Sequence, residues 1–186
     1  LEAIEILGDA ANIMSVGEMR QLTAYDALDF SEEDYYRLIS AKTASLMKAA
    51  CEMGASLGNP EHQEALGVYG HALGMAFQVA DDILDYEGSQ EETGKPVGHD
   101  LRERKVTLPL VGALRVATPA QEAVVREFFT RVEPPDEEIS RIVDLVRELG
   151  GVEYARKKAV EFGEKAEEAL KGLPEGPALD SLRDSI

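Results

Sequence analysis

Residues 73–85 read LGMAFQVADDILD, a long apolar helical run that closes on Asp81, Asp82 and Asp85. At about 3.6 residues per turn, Asp81 and Asp85 stand roughly 40° apart, and Asp82 splays about 100° to one side of Asp81. Leu73, Met75, Ala76, Phe77, Val79, Ala80, Ile83 and Leu84 surround the three acids, and a helix apolar nearly all round is expected to be buried. Buried carboxylates without a partner are unfavourable, so these are expected to be protonated, salt-bridged or bound to metal. Three together favour a hard divalent cation held through oxygen, and Mg2+ suits a site whose shell is completed by phosphates.

The chain reads as helix in both directions from this stretch. Upstream, Gly67, Gly70, Gly74, Gln78, Asp81 and Asp85 fall near one stripe. Glycine costs about 1 kcal/mol relative to alanine inside a helix, so three in line imply a need for room. Residues 1–24 carry a periodic segment through Ile4, Leu7, Ala11 and Met14, opening at the first residue with no initiator Met, as in a chain entered in mid-fold. Ser31 with Asp34 three residues on is a helix start, and that helix is predicted to run to Leu57, before Gly58-Asn59-Pro60. Downstream, residues 88–98 lack apolar periodicity and read as a loop. Short helices are predicted near 101–105 and 108–116, then longer ones over 119–132, 139–149 and 152–171, with a short one after Pro174. No segment alternates as a strand does. The expectation is an all-α antiparallel helix bundle with short connections, the 186 residues belonging to one helical domain.

Composition narrows the function. Thirty-six Asp and Glu against 19 Lys and Arg give a net charge of −17, which excludes nucleic acid as the natural partner. The single cysteine, Cys51, excludes an intrachain disulfide and fits a reducing, cytoplasmic compartment. No run approaches the ~20 apolar residues of a membrane-spanning helix.

Lys42 and Thr43 are the next candidates. Arg37, Lys48 and Glu52 share one face of their helix, whereas Lys42 lies about 140° from Arg37, in line with Leu38 and Ala49. A lysine turned inward needs an anion, either a carboxylate or a ligand phosphate. The loop adds Gly94-Lys95-Pro96, Gly98, Asp100 and Lys105. It is not a P-loop: Gly88 to Gly94 is one residue too long, and Pro96 stands where Ser or Thr must meet Mg2+. What remains is a basic loop placed to fold over a metal-bound phosphate. His62, His71 and His99 have no ligand-like spacing and read as structural or exposed.

Phe77-Gln78-x-x-Asp81-Asp82-x-x-Asp85, Gly94-Lys95-Pro96-x-Gly98-x-Asp100-Leu101 and Lys105-x-Thr107-Leu108-Pro109, with Gly17-Glu18-x-x-Gln21 and Lys42-Thr43-Ala44 upstream, resemble the trans-polyprenyl diphosphate synthases. The wording around Lys42 and Asp81 looks more like the long-chain members, such as octaprenyl or solanesyl diphosphate synthase. The resemblance covers essentially the whole chain and implies the isoprenoid-synthase helix bundle. It implies chain elongation of an allylic prenyl diphosphate with isopentenyl diphosphate through an allylic carbocation.

On matching positions, the resemblance implies that Asp81 and Asp85, with Asp82 assisting, hold Mg2+, up to three ions serving the full enzyme. Lys42 and Lys95, helped by Lys105, would neutralise the diphosphate. Gln78 and the backbone near Thr43 would face the cation, and Asp100 would act through water near the metal. A homodimer is implied, and an oily product implies transient membrane contact. The family's first aspartate-rich motif and its basic isopentenyl-diphosphate site are absent from these residues. The chain therefore resembles the C-terminal portion of a synthase without its N-terminal helices, and the 186 residues alone are expected to be inactive. Two other readings compete: a catalytically silent partner subunit of a heteromeric synthase, and a class I terpene cyclase. The cyclases' second metal motif resembles Asn/Asp-x-x-Ser/Thr-x-x-x-Glu, which this chain lacks.

Overall fold

The computed structural model describes residues 1–23, 30–87 and 97–186. Among the described residues every regular element is helical, and the all-α expectation holds. The order is α1 (Glu2–Thr23), α2 (Glu32–Ile39), a π-helical turn (Ser40–Ala44), α3 (Ser45–Gly58), a 3-10 turn (Pro60–His62) and α4 (Gln63–Glu87). Then come α5 (His99–Arg102), α6 (Leu108–Leu114), α7 (Pro119–Thr130), α8 (Asp136–Glu148), α9 (Gly151–Ala169) and α10 (Pro177–Arg183).

The chain divides into two compact units. Leu1–Thr23, Tyr36–Gln78 and Ala159–Ile186 form the first; Val79–Lys158, with the segment ending at Tyr35, forms the second. The continuous helix α4 contributes to both.

In the first unit, Tyr69, Ala72, Ala166, Leu170 and Leu179 make a buried cluster. The Tyr69 hydroxyl escapes burial without a partner by donating to the Leu182 carbonyl at 2.9 Å. The glycine stripe of α4 is explained by packing. A Cβ at Gly70 would lie 2.7 Å from the Met47 carbonyl oxygen, and one at Gly74 would lie 2.6 Å from Ala44 Cα. Backbone meets backbone there, and only glycine fits.

Two expectations about buried faces are corrected. On α1 the inward stripe is Ala3, Ile6, Ala10, Met14 and Gly17, whereas Ile4 and Leu7 are 73% and 48% exposed. That helix is apolar on two faces, so periodicity alone did not choose between them. On α4, Phe77 and Leu84 are 56% and 52% exposed. An apolar pattern all round marks surface that favours cover, and among the described residues this face is open.

The predicted start of α2 holds: Asp34 N–H donates to Ser31 Oγ at 3.1 Å and Ser31 N–H to the Asp34 carboxylate at 3.2 Å, a reciprocal cap. The helix predicted to run unbroken to Leu57 is instead interrupted by the π turn over Ser40–Ala44. In the second unit, Ile139, Ile142, Val143 and Val146 form the fully buried stripe of α8. Each such side chain contributes about 1.5–3 kcal/mol of burial. Gly98, at φ +77°, presses on this stripe: a Cβ there would lie 2.5 Å from Ile139 Cγ2.

Candidate functional site

The π turn carries Lys42 and Thr43. One inserted residue widens a helix locally, and such turns recur at functional sites. Here Ser45 N–H reaches back to the Ser40 carbonyl, and the Ser45 hydroxyl donates to the Ala41 carbonyl at 2.6 Å. Neighbouring elements grip the turn from two sides. Ser40 Oγ and His71 Nε2 are 2.8 Å apart, and the Thr43 hydroxyl donates to the Gln78 carboxamide oxygen at 2.8 Å. On the α1 side, a Cβ at Gly17 would lie 2.7 Å from Ala41 Cβ, and Glu18 Oε2 lies 2.8 Å from Lys42 Nζ. The inward-turned lysine is half-buried and has found a carboxylate, one of the two anions its position called for. Burial, with the charges of Lys48 and Lys165, holds His71 below the usual histidine range.

The three aspartates have three different surroundings. Asp81 is exposed, on the open face of α4 with Phe77, Ala80 and Leu84. Asp82 is 4% exposed and accepts a 2.6 Å hydrogen bond from the buried Tyr35 hydroxyl. Asp85 is half-buried and receives the turn beyond it: His99 N–H donates to Oδ1 at 2.9 Å, Asp100 N–H to Oδ2 at 3.0 Å, and Gly98 N–H to the Asp85 main-chain carbonyl at 2.9 Å. Burial pushes the Asp85 carboxyl up, against the opposing pull of the backbone donors. Beneath, Tyr86 is fully buried; desolvation keeps its phenol protonated far above the usual range, and the Thr107 hydroxyl donates to it at 3.3 Å.

Asp100 and Lys105 close this turn on each other. Lys105 Nζ lies 3.2 Å from Asp100 Oδ1 and 2.5 Å from Glu103 Oε2. Burial lowers the ammonium, but these carboxylates more than reverse that and hold it above the usual lysine range. Arg104 makes the corner. It sits at φ +61°, and its guanidinium donates to the Arg131 carbonyl at 3.1 Å and also to that of Phe129, capping the end of α7. Arg147 likewise donates to the Tyr86 carbonyl at 2.8 Å. Lys95, with Gly94 and Pro96, lies outside the described residues.

Among the described residues, no three His, Cys, Asp or Glu side chains converge as a ready metal cage. The donors fit a different arrangement: an ion held by one or two carboxylates and completed by phosphate oxygens and water, as is common for Mg2+. Asp81 has the free approach for this, and each Asp85 oxygen keeps a second lone pair beyond its N–H donor. Nothing in the sequence pattern singled out Tyr35 as the partner of Asp82. The pattern gave no role to Glu18, Ser40 or Arg104. Gly17-Glu18 was visible as a motif, but its meaning needed the approach of α1 to the π turn.

Comparison with known proteins gives the family. Residues 1–146 match the Polyprenyl synthetase family. Octaprenyl diphosphate synthase from Escherichia coli is 37% identical over 186 residues, covering 98% of this chain and 57% of that protein. Heptaprenyl diphosphate synthase component 2 from Geobacillus stearothermophilus is 34% identical, covering 90% of this chain and 52% of that one. A polyprenyl synthase from Caulobacter crescentus, solved with calcium and isoprenyl diphosphate, superposes with a TM-score of 0.93 at 36% identity, over all of this chain and 57% of its own. The chain thus spans little more than half the length of the relatives it matches. With a family match over most of its length and the Gln78–Asp85 segment held on a single helix, this chain belongs to the polyprenyl synthetase family.

Proposed function

We propose that the protein to which this chain belongs is a prenyltransferase that lengthens an allylic prenyl diphosphate by condensation with isopentenyl diphosphate. The observation that carries the reading is the continuous helix α4, which presents Gln78, bonded to Thr43, and then Asp81, Asp82 and Asp85 within two further turns. Asp81 and Asp85 are the proposed Mg2+ contacts, and Asp82, held by Tyr35, adds negative charge beside them. When bound, the ion would draw off charge growing on the departing diphosphate, the step such enzymes must stabilise most. Lys42 and Lys95 are the proposed diphosphate contacts, with Lys105 joining when its carboxylate partners yield. The Thr43 hydroxyl fixes the Gln78 carboxamide, whose dipole faces the cation in this reading. Asp100 is proposed to act through water.

These 186 residues lack the family's first aspartate-rich motif, so we propose that they bind ligand but do not turn over. The protein is proposed to be a cytoplasmic homodimer with transient membrane contact during product release. Among the described residues no helix is long and apolar enough to cross a membrane. The test is direct. The chain should take up inorganic pyrophosphate only with Mg2+, and the whole protein should convert farnesyl and isopentenyl diphosphates to linear longer diphosphates. Cyclic hydrocarbons among the products would favour a cyclase instead.

A partner-subunit reading is favoured by one finding, the relative named as a component of heptaprenyl diphosphate synthase. Asp81→Ala in the whole protein separates the two. Loss of turnover by orders of magnitude marks an enzyme, and an unchanged rate marks a silent subunit.

A further inference from the structure

We propose that Glu18 is a resident carboxylate that occupies the anion position on Lys42 until a diphosphate displaces it, and thereby sets the chain's affinity for anionic ligand. The inference rests on the reading of Lys42 as a diphosphate contact. Its ground is the geometry of α1 against the π turn. Gly17 lets the two backbones close to a distance that a Cβ would forbid, and the next residue places its carboxylate 2.8 Å from the Lys42 ammonium. The contact is built by that approach rather than by chance reach of two long side chains.

Its exposure makes it exchangeable. The Lys42 and Glu18 side chains are 36% and 54% exposed, so water and dissolved anions reach both. A pair of this kind contributes only about 0.2–1 kcal/mol. A diphosphate carries several charges and several acceptor oxygens, and it outcompetes one carboxylate for the same donors. On exchange the ammonium keeps its protons; one anion leaves and another enters. In a chain of net charge −17, a resident carboxylate also screens Lys42 against weakly charged anions, so the exchange selects for highly charged ligand.

The test uses this chain, Mg2+ and inorganic pyrophosphate in isothermal titration, with circular dichroism to verify folding. Glu18→Gln is expected to tighten pyrophosphate binding by about 1.5- to 5-fold, the affinity equivalent of an exposed pair. Glu5→Gln removes the same charge from α1 away from Lys42 and is expected to leave binding unchanged. In a Lys42→Met background, which itself weakens binding, the Glu18→Gln gain is expected to vanish. Equal or weaker binding by Glu18→Gln would overturn the proposal, as would an equal gain from Glu5→Gln or a gain that persists without Lys42. A wild-type chain that takes up no pyrophosphate overturns the functional reading as well. A wild-type chain that binds while Glu18→Gln stays neutral overturns only the role of Glu18.

Discussion

The Tyr35 hydroxyl and the Asp82 carboxylate, both nearly inaccessible to solvent, are joined by a 2.6 Å hydrogen bond across 47 residues of sequence. The bond explains how a carboxylate sits inside an apolar helix face, and it sets the buried, fold-supporting Asp82 apart from the exposed Asp81, the proposed ligand contact.

Tyr35→Phe is therefore expected to destabilise the chain by about 1.5–3 kcal/mol, the range for a hydrogen bond to a charged group lost in a buried place. Asp81→Asn is expected to leave stability within about 0.5 kcal/mol, as exposed substitutions do, and to abolish Mg2+-dependent pyrophosphate uptake. Urea unfolding of both variants, with titration of the second, checks the contrast. Equal destabilisation by both would refute the division of roles.

His71 gives a pH dependence. Its folded pKa is held down by burial first, then by Lys48 and Lys165, so the native state favours the neutral ring bonded to Ser40. A depressed pKa contributes stability that is complete above the ordinary histidine value of about 6.5 and is lost as pH falls through the lowered folded value. Urea midpoints from pH 7.5 downward should decline more steeply in the wild type than in His71→Gln.

Arg104 combines strain with a useful cap. Its left-handed backbone is unfavourable by about 1–2 kcal/mol for a residue with a Cβ, while its guanidinium satisfies terminal carbonyls of α7. Arg104→Ala keeps the strain and loses the cap, whereas Arg104→Gly loses both. The alanine variant is expected to melt below the glycine variant. The reverse order in thermal unfolding would show that the strain is not the larger difference.

Gly74 has no room for a methyl group, since its Cβ would fall 2.6 Å from Ala44 Cα. Gly74→Ala should destabilise by about 1–3 kcal/mol through forced overpacking. Because Ala44 ends the π turn, it should also weaken pyrophosphate binding. A destabilised variant with wild-type affinity would uncouple the turn from the ligand.

Much of this protein was legible in its sequence because the relevant physics is local. Helical periodicity, the Ser31 and Asp34 cap, the Gly58-Asn59-Pro60 stop and the glycine stripe depend on neighbours within a turn or two. The spacing of Gln78, Asp81, Asp82 and Asp85 likewise fixes their directions on α4, and with them the sideways splay that buries Asp82. Periodicity could not say which of two apolar faces of α1 turns inward, nor that the Phe77 and Leu84 face of α4 is open. Burial is a property of what packs against a face, not of the face.

Tertiary structure alone decided the partners. Whether Lys42 meets a phosphate or a carboxylate depends on Gly17 admitting α1 to the π turn, and the turn itself answers to contacts from α1 and α4. That Asp82 is tied to Tyr35 and Asp85 to the backbone of His99 and Asp100 follows from groups distant in sequence being brought within hydrogen-bond reach. Local propensity encodes where helices start, stop and point. The identity of the group waiting at the end of each side chain is a long-range property, set only when the chain has closed on itself.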